Sequence, residues 1–218
     1  MTSAGPLLIL GSGGFAVETI EVVNAINSSG GTIELIGVAD DDVALHGQER
    51  LGVPVIGSIE ASVRKYDDAL LITTMGNPSA FTVRRKVVNR LGLSDERFAT
   101  LIHPTAVVPS SASIGVGSVV QANVVMTADV VIGRHVLVMP AVVLTHADRI
   151  GDYVTIASGA KISGEVRIDD EAYIGAGSLI RERLTIGARS LVGLGAIVLD
   201  DVPPEETWVG NPARRLPP

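Results

Sequence analysis

From Ile102 onward an aliphatic residue returns at every sixth position: Ile102, Val108, Ile114, Val120, Met126, Ile132, Val138, Leu144, Ile150, Ile156, Ile162, Ile168, Ile174, Ile180, Ile186, Val192 and Val198. Neither the turn of a helix nor the alternation of a strand generates a period of six, so the repeat describes a larger unit that turns and returns. Three hexads close one triangular coil. Four positions past this column the side chains are mostly small or β-branched, among them Ser118, Val124, Val136, Val142, Ala160, Val166, Ala172, Ser178 and Ala196. The inside of a narrow prism requires such residues. The position just past the column is often glycine (Gly115, Gly133, Gly151, Gly175, Gly187, Gly193), which reads as a corner with unusual backbone angles. A register held this long predicts a left-handed parallel β-helix over residues 101–218 rather than a β-sandwich.

Residues 1–100 lie outside the repeat. They alternate short apolar strands (7–10, 33–38, 55–56, 70–74) with helical stretches (17–26, 59–65, 78–90), the pattern of a small α/β, Rossmann-like domain with a parallel sheet. The net charge of −7 and the absence of a basic run argue against nucleic acid or an anionic membrane as partner. No cysteine is present, which excludes disulfides, thiolate chemistry and the usual zinc frameworks. The early apolar run has no basic segment before it and leads straight into a glycine motif, so it reads as a first strand and not as a leader. No apolar run reaches the roughly 18 residues of a membrane span, and a cytoplasmic chain is expected.

Gly11, Gly13 and Ala16 fill the pattern G-x-G-x-x-[GA] between the first strand and the first helix. Such a turn brings backbone N–H groups and a helix N-terminus up to a phosphate. Asp40, after the second strand, stands where a ribose would be held in an NAD site, but about 100 residues supply only half of a dinucleotide-binding sheet. A mononucleotide fits better. Asp41 and Asp42 read as a solvated turn, and Gly76-Asn77 follows the third long strand at the sheet edge where ligands bind, or forms a plain strand-to-helix turn.

Of the four histidines, His46 reads as a loop residue, His103 as structural and His135 as a solvated outward position. His146 is different. It lies two residues past Leu144, and Gly164 occupies the same place on the next coil, about 4.8 Å away at strand spacing. An imidazole beside an exposed backbone N–H is what acyl transfer to an amine or alcohol needs: a base for the nucleophile's proton and a donor for the oxyanion. The alternative is a surface histidine. Asp148 stands in the small inward column, so backbone amides, Arg149 or the His146 imidazole must satisfy it. It either orients the imidazole or serves structure alone.

The last segment carries Gly210, Pro212, Ala213 and Arg214, which match the G-x-P-A-[KR] element closing the β-helix of hexapeptide acyltransferases. With the glycine-turn domain in front, the chain resembles the sugar O- and N-acetyltransferases of the sialic acid O-acetyltransferase NeuD family. It is similar to the bacterial members that acetylate the amino group of a UDP-, GDP- or dTDP-linked amino sugar. The resemblance implies acetyl-CoA as co-substrate with no metal, and a homotrimer with active sites between neighbouring β-helices. It places coenzyme A along Gly164, Gly210, Pro212, Ala213 and Arg214. It places the sugar nucleotide at Gly11, Gly13, Gly14, Phe15, Asp40, Asp41, Gly76 and Asn77. His146 becomes the general base and Gly164 the oxyanion donor. Three residues depart from the family's pattern: Phe15 replaces a histidine of the glycine turn, Ala147 an acidic residue after the catalytic histidine, and Thr155 a second histidine. In one account Asp148 takes over orientation of the imidazole and Phe15 suits the pocket to a different sugar. In the others the chain is a sugar O-acetyltransferase, or a trimeric protein that binds a sugar nucleotide without modifying it.

Overall fold

The computed structural model describes residues 5–217, and the chain divides into two compact units between Pro104 and Thr105. The first unit is built on a sheet of five strands: β1 (Gly5–Leu10), β2 (Ile33–Ala39), β3 (Glu49–Arg50), β4 (Val53–Gly57) and β5 (Leu70–Thr73). Their order is β3-β4-β2-β1-β5, with every pair parallel except β3 with β4. Helix α1 (Gly14–Ser28) joins the parallel neighbours β1 and β2, α2 (Ile59–Lys65) carries the chain from β4 past β2 and β1 to β5, and α3 (Val83–Leu91) follows β5. Leu7, Leu8, Ile9, Leu10, Leu71 and Ile72 are almost wholly buried, as strands covered on both faces require.

Helix α3 begins at Val83 and not at residue 78. The Asn77 side-chain oxygen accepts the Ser79 N–H at 2.7 Å and its carbonyl accepts the Ala80 N–H at 3.0 Å. These local turns consume the amides that would otherwise open the helix earlier.

In the second unit, two-residue strands stack at a spacing of one coil into three parallel sheets. One runs through Ser113–Ile114, Val131–Ile132, Arg149–Ile150, Arg167–Ile168 and Thr185–Ile186. A second includes Val119–Val120, Leu137–Val138, Thr155–Ile156, Tyr173–Ile174 and Leu191–Val192. The third comprises Val125–Met126, Val143–Leu144, Lys161–Ile162, Leu179–Ile180 and Ile197–Val198. This is a left-handed parallel β-helix. Every column residue from Val120 to Val198 is at most 3% exposed, so the aliphatic period fills the prism as expected.

The corner glycines have a different reason from the one the sequence suggests. Gly115, Gly133, Gly151, Gly175, Gly187 and Gly193 have no left-handed angles. A Cβ on Gly133 would lie 2.7 Å from the Gly151 backbone, and one on Gly115 would lie 2.4 Å from the Gly133 carbonyl oxygen. They are glycines because the next coil passes too close for a side chain. The left-handed angles fall two residues later, largely on other residue types such as Ala147 (φ 61°), Glu165 (φ 63°) and Arg183 (φ 63°).

Candidate active site

His146 leaves the corner after Leu144, on the third sheet's edge, and its side chain lies across Gly164 on the next coil. A Cβ built on Gly164 would sit 2.3 Å from His146 Nε2 and 2.4 Å from Cε1, so the imidazole occupies the space a side chain would need. His146 is exposed, whereas Gly164 is buried. That burial differs from the open amide the sequence suggests, and the ring itself covers the glycine. Among the described residues no acceptor meets the Gly164 N–H, while its carbonyl accepts the Arg183 N–H at 3.0 Å. The Glu165 N–H donates to the His146 carbonyl at 2.9 Å, tying the two turns together.

Asp148 is 0% exposed. Its Oδ2 accepts the Thr145 N–H at 2.9 Å and its Oδ1 accepts the Val166 N–H at 3.0 Å. Of the partners open to it, backbone amides are the ones taken, and the carboxylate bridges the coil of His146 to the coil of Gly164. Ser118 makes a similar bridge in the same column, its Oγ accepting the Val136 N–H at 2.9 Å. Burial pushes the Asp148 carboxyl up to about 7, against the pull of the two amides and of Arg149. Glu165, beside Gly164, is exposed and pairs with Arg183 at 3.2 Å. Arg183 holds its carboxyl below the usual carboxylate range, with a smaller pull from His146.

His135 contradicts the solvated reading. It is 1% exposed, with its ring between Gly117, where a Cβ would meet Nδ1 at 2.3 Å, and Tyr153, stacked at 5.0 Å. Those two residues are its neighbours one coil before and one coil after, and the pairing is visible in the sequence only once coil spacing is applied in both directions. Thr155 is likewise buried, on the second sheet.

The closing segment folds back on the end of the β-helix. Thr207–Val209 extends the second sheet beside Leu191 and Val192, and Arg214–Arg215 pairs antiparallel with it. Ala213 is buried and its N–H donates to the Ile197 carbonyl at 2.7 Å, while Gly210 adopts φ 98°. The peptide bond before Pro212 is cis. Arg214 is exposed and lies 3.9 Å from Asp200. Asp200 stands two past Val198, as Gly164 stands two past Ile162, so both belong to one corner. Two coils of strand spacing put them about 10 Å apart along it.

In the first unit Gly11 has φ 95°, a conformation that favours glycine. Gly13 and Gly14 are exposed, with open space where a Cβ would be, and α1 starts with no side-chain cap and no acidic residue in its first turn. Asp40 closes the turn from below, its Oδ2 accepting the Ser12 N–H at 2.7 Å. Phe15 is 9% exposed and turned into the packing. Asp41 is not merely solvated: it accepts the Ile59 N–H at 3.0 Å and pairs with Arg90 at 2.6 Å. Burial would raise its carboxyl, but Arg90 and the Ile59 amide hold it below the usual range. Asn77 is exposed and Gly76 half-buried after β5. Arg50, on β3, escapes the sequence reading: its Nε donates to the Ser12 carbonyl at 2.9 Å, placing a cation at the glycine turn. No local pattern marks it.

Residues 6–91 match the family model described as the PglD N-terminal domain. The acetyltransferase domain of PglB from Neisseria gonorrhoeae superposes with a TM-score of 0.83 at 32% identity, covering 97% of this chain and 99% of that one. The chain belongs to the PglD-type hexapeptide acetyltransferases. The same gonococcal domain is known in complex with acetyl coenzyme A, with a TM-score of 0.84. GDP-perosamine N-acetyltransferase from Caulobacter crescentus, in its H141A form with CoA and GDP-perosamine, gives a TM-score of 0.83 at 26% identity over the whole of both chains. A UDP-N-acetylbacillosamine N-acetyltransferase of Bacillus subtilis is 36% identical over 116 residues, covering 52% of this chain and 50% of that protein. Among the described residues no group of three or more His, Asp or Glu could hold a metal, and no helix is long and apolar enough to cross a membrane.

Proposed function

We propose that the chain transfers the acetyl group of acetyl-CoA to the amino group of a nucleotide-linked amino sugar. The observation that carries this reading is the His146 imidazole lying against Gly164 in a chain related to acetyltransferases known with acetyl coenzyme A or with CoA and a nucleotide amino sugar. In the reaction the amine nitrogen attacks the thioester carbonyl carbon and gives a proton to His146 Nε2. The Gly164 N–H, which meets no acceptor among the described residues, donates to the tetrahedral oxyanion. Collapse breaks the C–S bond, and coenzyme A leaves as the imidazolium returns the proton. No cysteine is present for an acyl-enzyme, which favours direct transfer.

Acetyl-CoA would lie along the His146 corner toward the tail, where Arg214 meets a phosphate by a charge-assisted contact. Gly210 and Pro212 shape that tail, and Ala213 anchors it. The nucleotide would sit on the first unit, at the open amides of Gly13 and Gly14, with Gly11 and Asp40 fixing the turn and Asp41, Gly76 and Asn77 at the same sheet edge. Phe15 acts there through packing. A homotrimer is supported by the outward row of the third sheet beside His146: Val125, Val143, Leu179 and Ile197, interrupted by Lys161. Leu179 is 42% exposed, and an open apolar row of this kind suits a second copy.

Replacing His146 with alanine tests the base. A general base is worth about 10²–10⁴-fold, so kcat falls by about that factor while acetyl-CoA affinity stays unchanged. A rate within about threefold of the parent would leave only positioning as the source of catalysis.

A further inference from the structure

The reading of His146 as base raises the question of which carboxylate works with it. Ala147, next in the chain, has no polar side chain. Asp148 is fully buried, with both oxygens on backbone amides. Glu165 lies one coil on from Ala147, with the same left-handed backbone (φ 63° against 61°). Its side chain therefore leaves the corner about 4.8 Å further along the prism. The residue before it is Gly164, over which the imidazole lies, and its own N–H holds the His146 carbonyl at 2.9 Å.

We propose that the Glu165 carboxylate is the acidic partner of the His146 imidazole, stabilising the imidazolium that forms as the base takes the proton. The proposal rests on the acetyl-transfer reading above. The interaction it uses is the attraction between a carboxylate and an imidazolium on successive coils of one corner, whose turns are tied by the Glu165 N–H on the His146 carbonyl. Arg183 follows Glu165 by one further coil and holds the carboxylate from the side away from His146. The corner thus carries a short, a negative and a positive side chain in successive coils, with the negative one beside the base. A carboxylate in that place faces the charge that forms on the ring without touching substrate, so Glu165 is a positioning residue.

The test compares E165Q with R183Q in steady-state coenzyme A release, using acetyl-CoA and whichever UDP-, GDP- or dTDP-linked amino sugar turns over fastest. Both substitutions break the same exposed ion pair, whose worth to stability is small. A purely structural role would therefore make the two variants alike. The proposal expects E165Q to lower kcat about tenfold with KM for acetyl-CoA unchanged, E165D to recover part of the loss, and R183Q to stay within about twofold of the parent. In the H146A background E165Q adds no further loss, because the group it assists is gone. Equal rates for E165Q and R183Q, reduced or not, overturn the proposal. If H146A is slow while E165Q keeps the parental kcat, the pairing fails and the base assignment stands. If H146A keeps the parental rate, both fail together.

Discussion

Replacing Gly164 with alanine separates the site from the scaffold. The added Cβ would stand 2.3 Å from Nε2 and 2.4 Å from Cε1 of His146, far inside contact distance. Those atoms end a flexible, exposed side chain, so the ring swings away and the coil stays in place. Gly164 is not among the residues with left-handed angles, and an alanine there fits the backbone and restrains the unfolded chain by about 0.4–1 kcal/mol. The Tm of G164A therefore stays within about 3 °C of the parent. Its kcat falls by about 10²-fold or more, the loss expected when a general base leaves its place. Gly133 supplies the contrast. Its added Cβ would press on the Gly151 backbone at 2.7 Å and on Asp152 Oδ1 at 2.6 Å, neither of which yields cheaply. Overpacking of that kind costs about 1–3 kcal/mol, so G133A melts several degrees lower. Differential scanning fluorimetry and coenzyme A release, run on both variants, give the two readouts. A G164A protein as active as the parent, or one destabilised as far as G133A, would refute the placement of the ring.

Three further outcomes follow from the same structure. Burial raises the Asp148 carboxyl from 3.8 to about 7, so the folded chain keeps a proton that the unfolded chain releases between those values. The stability this contributes is full below about pH 4 and lost as pH rises through about 7; Tm measured from pH 5 to 8 should fall in the parent and lose that component in D148N. Replacing Arg214 with glutamine removes the exposed cation at the tail and should raise KM for acetyl-CoA about tenfold with kcat little changed, whereas an unchanged KM would remove Arg214 from the cofactor's path. Leu179→Asp places a charge in the outward apolar row, and light scattering after gel filtration should show a trimeric parent giving way to monomer.

The β-helix was legible because its period is strict: each hexad places one aliphatic residue inside, and a slip of one would turn the whole row to solvent. The same period located His146 beside Gly164. What it could not supply was direction. Whether a corner side chain lies over the coil before it or after it depends on backbone angles that the period does not specify. His135, whose ring rests on Gly117 and Tyr153, therefore reads from the period alone as a surface residue. The corner glycines are legible but their reason is not, since closeness of the next coil and a left-handed φ both select glycine and only the folded backbone separates them. Arg50 and Glu165 carry no mark in the sequence because their contacts cross a gap in it, the Arg50 side chain reaching Ser12 and the Glu165 backbone the turn of His146. Asp148 is legible as the charged residue in a small apolar column, and its amide partners are among those its burial demands.

The measurement that bears most directly on the account is coenzyme A release from acetyl-CoA across UDP-, GDP- and dTDP-linked 3-amino and 4-amino sugars, with hydroxyl sugars as controls and product mass read alongside. The account predicts turnover with an amino sugar, giving a product heavier by one acetyl group and stable to mild alkali as an amide is. An alkali-labile product from a hydroxyl sugar would make the chain an O-acetyltransferase, and silence across the panel with acetyl-CoA bound would contradict acetyl transfer to a nucleotide amino sugar.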